Sequence, residues 1–577
     1  MSPHSSRISP WLFVFASSLV ACRPAGGSRA PESKLRIEQP FPALAQLEAI
    51  AKEPAASADT GNPVRGVEAW TATGPLPTAA ATTPGQSAEA KALAALFDPG
   101  ERAVTQEMSC FAREAGAFML KHGAQPSVDL AAWMGARCGV GHPNPMIAVW
   151  NRGPTGAKVF DAQRDRERIL GGLKVVEGPA DFGVAVVDDG TTAMSFVAVA
   201  LRRAEFERVE MIPESGHVSI RGRAPGPVGS VLGYITQGEH GVARCAPAPA
   251  PDAGANAFGM SCPVDPKDAG AAIEVMVAPQ GSLLADQSLS LWVSPDGSMS
   301  DAWTARRVAV PVGGDEPDAL AWLTAINTIR EQRDLAPWTH ADAQSTLVGG
   351  LLPHIITRGT PPERRNQIAL GMLAGWKVQG SIRNGTFGLS AVPRDIPLDR
   401  ALGAAMASPA FRAIATTPDT NTAAIALHRS AATNLAHIAV VGYALFTARD
   451  YFAEEEWFLD QLDADRAARG LPPVERVGGP KDRAVLDAAA TRVREGESNP
   501  EEELDVLLQH FATATGQQVR GMVYTTLTLD GYRPPFEGPL ASATGVVAIV
   551  KIADWHPKGS AWGQHVIYVV YAVPGEG

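Results

Sequence analysis

Cysteine is scarce in this chain, five in 577 residues, and no two of them stand as C-x-x-C. Nor is there an H-E-x-x-H, a P-loop or a G-x-S-x-G elbow, so the common redox, zinc-protease, nucleotide-binding and hydrolase signatures are all missing. Strongly basic stretches are absent as well. With 61 acidic against 50 basic residues the net charge is -11, which argues against a nucleic-acid partner, because no region stands ready to neutralise phosphates. Long apolar runs are also missing, and the only marked one lies at the amino end.

That run, Trp11 to Val20, follows the positive charge of Arg7 and is too short for a spanning helix of about 20 residues. It leads into Leu19, Val20, Ala21 and Cys22, the small-residue pattern cut before a lipidated cysteine. Residues 1–21 therefore read as a lipoprotein signal peptide and Cys22 as the lipidation site, with attachment to the membrane through acyl chains. An ordinary secretory signal with a chance cysteine is the alternative, and either one exports the chain. Arg23 is not the aspartate that in some bacteria retains lipoproteins at the inner membrane, which favours the outer membrane. The expected location is the cell envelope, lipid-anchored and extracytoplasmic.

Export gives the other four cysteines a meaning. They form two local pairs, Cys110 with Cys138 and Cys245 with Cys262, and both are expected as disulfides. Four cysteines allow about three connectivities, and this one closes the short loops. Four buried free thiols are the alternative.

A hydrophobic content of 45% is that of a globular chain, and the length calls for three or four domains. Residues 22–87, rich in Ala, Pro, Gly, Ser and Thr, read as a flexible tether, with Gly66 to Leu76 able to pack on the first domain. From 88 to 204 the pattern is helical first: Met108, Phe111, Ala112, Ala115 and Met119 share one face until Lys121-His122-Gly123 stops the helix. A second helix runs from Val128 to Arg137, so the first disulfide would staple two helices. After a loop, Phe182 to Val187 and Met194 to Leu201 read as a hairpin around Asp188, Asp189 and Gly190. Between 205 and 312 short alternating runs, such as His217 to Arg221 and Val228 to Ile235, predict an all-β sandwich. There the second disulfide would close a proline- and glycine-rich excursion at its base.

The second half contains an internal repeat. Residues 327–338 read NTIREQRDLAPW and residues 463–474 read DADRAARGLPPV. Asn327 aligns with Asp463, Arg330 with Arg466, Leu335 with Leu471 and Pro337 with Pro473. Each copy follows an amphipathic helix, precedes another (Ala341 to Thr357; Asp482 to Arg494), and ends in strands (Ala423 to Leu427 with Ile438 to Phe446; Gly545 to Ile552 with His565 to Val573).

A helix ending in N-x-x-R, a short loop with G-L-x-P and a second helix resemble the opening of the CAP superfamily, also called the SCP or cysteine-rich secretory protein family. Ser408-Pro409-Ala410-Phe411-Arg412 is similar to that family's S-P-x-H-R segment. The resemblance implies a multidomain α+β chain with three CAP-like α-β-α sandwich units at 88–204, 315–450 and 452–577, plus the all-β module. It also implies a cleft lined by two histidines and two acidic residues, able to bind a divalent metal or polarise water. Here the pattern departs from the family. Phe411 stands where a histidine belongs, and Asn384-Gly385-Thr386 replaces the family's G-E-N segment without its glutamate.

The cleft candidates are His354, Arg412, His556 and His565, with Glu501, Glu502 and Glu503 available in the third unit. Against them stand ordinary roles: His354 on a helix, His565 opening a strand beside Trp555 and Trp562, and three glutamates at a helix start. No catalytic residue, metal or cofactor is assigned. The expected function is a non-catalytic envelope lipoprotein whose degenerate units bind a lipid, a glycan or another envelope protein. The alternative is a divergent secreted hydrolase with a site rebuilt in one unit, the third above all.

Overall fold

The computed structural model describes residues 41–55, 63–73, 88–96, 102–173, 178–212, 216–239, 241–249, 254–265, 270–280, 284–293, 299–310, 318–357, 360–447, 449–476, 479–529, 532 and 536–573. Residues 1–21, expected as a signal peptide, Cys22 and the rest of 1–40 lie outside them. The chain is a multidomain α+β protein with several small sheets. It divides into two compact units, one of residues 42–373 with 386–442 and one of Phe41, 374–385 and 443–573.

Three of the sheets share one strand order. In the third repeat a two-residue strand, Glu475–Arg476, runs parallel to Val547–Trp555, which pairs antiparallel with Gln564–Ala572, which pairs with Val519–Thr526 at the edge. Strict alternation sorts the side chains of the central strands. Ala548, Val550, Ile567 and Val569 meet Phe458, Leu459 and Leu462 of the helix Phe452–Ala467 together with Leu540. Ile549, Val566, Tyr568 and Val570 meet Leu486 and Val493 of the helix Pro480–Glu495 and Leu507 of the helix Pro500–Thr515. The sheet is thus buried on both faces, which is why its strands read as continuous apolar runs.

The middle sheet has the same order: Thr339–His340, Thr422–Ser430, Leu435–Leu445, Ile382–Pro393. One face, with Ile425, Ile438 and Val440, packs on the helices Ala319–Glu331, Leu398–Ala405 and Pro409–Ala415. The other carries the helix Asp342–Ile356, whose Ser345 hydroxyl accepts from the Ile425 amide. The first sheet repeats it again as Arg102–Val104, Ala180–Asp188, Thr192–Leu201, Met146–Pro154, with the first strand parallel and the others antiparallel. Its Phe196 and Ala198 face the helices Gln106–His122 and Val128–Arg137, while Val197 and Val199 face the helix Ala88–Ala94 and Ile169.

The first region is more than helices followed by a hairpin. Residues 139–181, read from sequence as a loop, hold the edge strand Met146–Pro154 and the helix Arg166–Leu173. A β-bulge between Val149 and Asn151 breaks the alternation of that strand and hid it. The helix Gln106–His122 stops where expected, with Gly123 in the left-handed conformation at φ 66°. Cys110 and Cys138 form the disulfide that staples it to the next helix.

Two sheets, Gly241–Arg244, Val228–Gln237, Ala271–Pro279, Asp286–Val293 and Ala246–Pro247, Ala257–Pro263, His217–Arg223, Glu205–Ile212, form the β-module. Ile220, Ile235, Met260 and Ile273 fill its centre. The disulfide Cys245–Cys262 forms as expected, but it does more than close a loop at its base. Cys245 follows a strand of one sheet and Cys262 lies in the other, so the bond ties the two layers. The module does not stand alone either: the outer face of Val228–Gln237, with Leu232 and Tyr234, shares one core with Phe411 and Ile414 of the middle helices.

The stretch read as a flexible tether is ordered in two places. The helix Leu44–Lys52 buries Leu47 and Ile50, with Leu47 against Gly371. Val64–Arg65 pairs with Gln125–Pro126, and Ala69–Thr71 pairs with Ala302–Thr304. Trp70 enters the core of the first region, in line with the packing expected for Gly66 to Leu76. Apolar spacing too short to register as an amphipathic helix was enough once a complementary surface existed.

Candidate functional site

The repeated N/D-x-x-R motif is a tie between a helix end and the loop after it. In the middle copy Arg330 is fully buried, with Nε donating to the Ala336 carbonyl, Nη1 to the Ala415 and Thr417 carbonyls and Nη2 to the Thr420 carbonyl. In the third copy Arg466 is equally buried, with Nε donating to the Pro472 carbonyl and its two Nη groups to Leu540 and Ala543. Each Nε reaches six residues ahead. Asn327 and Asp463 complete the motif: the Trp338 and Val474 amides, each eleven residues on, donate to their side-chain oxygens. The planar guanidinium, with five N–H groups, suits a cluster of carbonyls that no other side chain can satisfy at once. Burial lowers the Arg330 pKa to about 10, still far above neutral, so the group stays charged.

Arg412, a cleft candidate, is a third such tie. It is fully buried on the helix Pro409–Ala415, and it donates through Nε to the Met406 carbonyl and through Nη1 to the Gly238 and Gly241 carbonyls of the β-module turn. Beside it Glu274 of the β-module accepts from the Ser408 hydroxyl and the Ala410 amide. Burial raises the Glu274 pKa to about 7 against those hydrogen bonds. Phe411 is in the core, and Asn384 turns its carbonyl onto the Gly385 amide. His354 is 7% exposed on the helix Asp342–Ile356, where Pro353 precedes it.

In the third repeat the glutamates behave as a helix start. Asn499 caps the helix Pro500–Thr515 in a capping box with Glu502, and Glu503 holds Arg492 by two bonds of 2.8 and 2.6 Å, which keeps the Glu503 carboxyl below its usual range. Neither contact involves a histidine.

The two histidines find other partners. His565 lies in the strand Gln564–Ala572 opposite Asp554, 3.6 Å from Nδ1 to Oδ1, with its ring edge-on to Phe446 and Tyr451. The Tyr451 hydroxyl donates to the same Asp554 oxygen. Burial, reinforced by Arg383 and Arg449, lowers the His565 pKa to about 4, so its ring is neutral at pH 7. Burial raises both Asp554 and Tyr451.

His556 is exposed, in the turn linking the last two strands. Its Nε2 lies 2.9 Å from the Ser560 carbonyl and its Nδ1 lies 2.8 Å from the Ser381 hydroxyl. A carbonyl only accepts, so Nε2 carries the proton in the neutral ring and Nδ1 accepts from Ser381. The local fold holds this geometry. Ser381 immediately precedes the strand Ile382–Pro393 and its carbonyl accepts from the Phe446 amide, while the Gly563 amide donates to the Ile382 carbonyl. A Cβ at Gly563 would stand 2.5 Å from the Ser381 hydroxyl oxygen and 2.7 Å from the Phe446 ring, so only glycine allows this approach. Sequence reading missed Ser381, because 175 residues separate it from His556 and no local motif surrounds it.

Among the described residues no group of three or more His, Cys, Asp or Glu is placed to hold a metal, and no helix is long and apolar enough to cross a membrane. No protein-family model matches the sequence, and a search of curated proteins finds no match either.

Proposed function

We propose that this chain is an extracytoplasmic envelope protein, anchored by lipid on Cys22, whose three CAP-like units and β-module form a binding scaffold for a lipid, a glycan or another envelope protein. Support for the kinship comes from the shared strand order of the three α-β-α layers and from the equivalent ties of Arg330 and Arg466. The observation that carries the binding reading is the fate of the cleft positions. Phe411 is packed in the core and Arg412 holds three carbonyls, so neither of these side chains is placed to serve a metal or a cleft.

Two measurements test it. In cells, the native chain should enter the detergent phase and incorporate labelled fatty acid, and Cys22→Ser should abolish both. A purified chain beginning at Phe41, which keeps the helix Leu44–Lys52, should hydrolyse no ester or peptide in a divalent-metal-dependent way. Metal-stimulated turnover lost in His354→Ala would overturn the reading.

A second reading, a hydrolase with a rebuilt site, is favoured by one observation, the hydrogen bond from Ser381, at the start of a strand of the middle sheet, to His556 of the third unit.

A further inference from the structure

We propose that Ser381 and His556 form a nucleophile and general-base pair for acyl transfer, acting on esters that carry a negatively charged group. This inference rests on the hydrolase reading and gives it residues and a substrate class.

Three features of the pair fit nucleophilic chemistry. The hydroxyl and the base are in contact at 2.8 Å. The base is oriented from its far side by the Ser560 carbonyl, which fixes the tautomer that leaves Nδ1 free to take a proton. Exposure of His556 and partial exposure of Ser381 give a substrate access. A main-chain carbonyl here does the orienting that a carboxylate does in the familiar triads.

Arg383 supplies the substrate preference. It follows Ser381 by two residues along extended chain, so the two side chains leave the same face about 7 Å apart. It is half-buried, and its charge is felt at Asp554 and His565. An ester whose acyl carbon reaches Ser381 can therefore place a carboxylate three or four bonds away near a cation.

The chemistry balances without another reagent than water. The Ser381 oxygen attacks the acyl carbon as its proton passes to Nδ1 of His556, and the bond to the leaving alcohol breaks as that alcohol takes the proton. Water then repeats the sequence on the acyl-serine. The net change is ester plus water to acid plus alcohol. His556 is not enclosed, so the acceleration expected from the pair is that of acid–base assistance, about 10²- to 10⁴-fold.

The test uses the full chain with 4-nitrophenyl succinate, a monoester with a free carboxylate, and with neutral 4-nitrophenyl acetate. Turnover of the succinate ester should fall at least tenfold in Ser381→Ala and in His556→Gln. Arg383→Gln should raise KM for the succinate ester several-fold more than it raises KM for the acetate ester. Mass spectrometry of the wild-type chain quenched in acid should place the succinyl group on the peptide containing Ser381, a readout that needs no variant. Turnover that survives Ser381→Ala, with the label elsewhere, overturns this inference and leaves the hydrolase reading standing. No turnover above buffer in the wild-type chain overturns both.

Discussion

At the residue scale, buried arginines organise this molecule. Arg330, Arg412 and Arg466 are each fully buried and each binds several backbone carbonyls. Most of these carbonyls lie at helix ends and in turns, as with Ala415, Met406 and Leu540, and an unmet carbonyl in the interior costs about 1–3 kcal/mol. Replacing Arg466 by Ala strands three of them. Urea denaturation of Arg466→Ala should show a loss of at least about 3 kcal/mol. Arg466→Lys should recover little of it, because a point ammonium cannot span the Pro472, Leu540 and Ala543 carbonyls as the planar fork does. The motif was visible in sequence as a repeat with constant offset. Its purpose was not, since the partners of Arg330 include residues about ninety positions away.

The candidate histidines show the same division. The sequence pattern puts His565 at the start of a strand, and it is the second residue of the strand Gln564–Ala572. That Asp554 would face it follows from the register of the last two strands, which depends on the turn between them. Ser381 lies in the middle unit three residues before Asn384, yet its partner could not be read from sequence, because a contact between a strand start and a distant turn leaves no periodic trace.

At the element scale, short apolar patches gained structure from their neighbours. Leu44 to Lys52 is nine residues, too short to be stable alone in water, yet Leu47 is wholly buried against the helix Pro362–Ala374. Leu47→Ala should cost about 2–4 kcal/mol. A chain beginning at Gly66 should show faster amide exchange in the helix Asp342–Ile356 than one beginning at Phe41, because Gly350 of that helix packs on Ala51. Equal exchange would show that the amino-terminal helix is dispensable.

The disulfides belong to this scale as well. Their pairing was readable because close cysteines close small loops, and the helical staple followed from the two helix positions. For Cys110–Cys138, 28 positions apart in the chain, opening by Cys110→Ser with Cys138→Ser should cost about 3.5 kcal/mol in an equilibrium melt. That the second bond crosses between two sheets depends on strand order, which alternation cannot supply.

At the scale of the whole molecule, two compact units carry buried groups with opposite pH responses. In the unit that contains 443–573, His565 has a pKa lowered to about 4 from its ordinary 6.5. The unfolded chain therefore takes up the proton first, and stability present above 6.5 is lost as pH falls toward 4. In the other unit Glu274 is raised to about 7 from 4.5, so it contributes fully below 4.5 and its share is lost as pH rises through 7. Differential scanning calorimetry at pH 4.5 and 7 should resolve this by comparison with single variants. The gap between wild type and His565→Gln should change in the acid direction for one transition, and the gap between wild type and Glu274→Gln in the opposite direction for the other. Parallel shifts in both would contradict the assignment of the two groups.

The sequence by itself determined the two disulfides, the repeat and those helices and strands whose apolar spacing is regular, because periodicity, composition and short loop closure are local or nearly local properties. Only the tertiary structure decided that the amino-terminal stretch docks as a helix, that the β-module shares a core with the middle helices, and that Arg412 binds carbonyls while His556 meets Ser381. Each of these is a contact between surfaces far apart in the chain, and the free energy that selects it comes from shape and hydrogen-bond complementarity that no single segment holds.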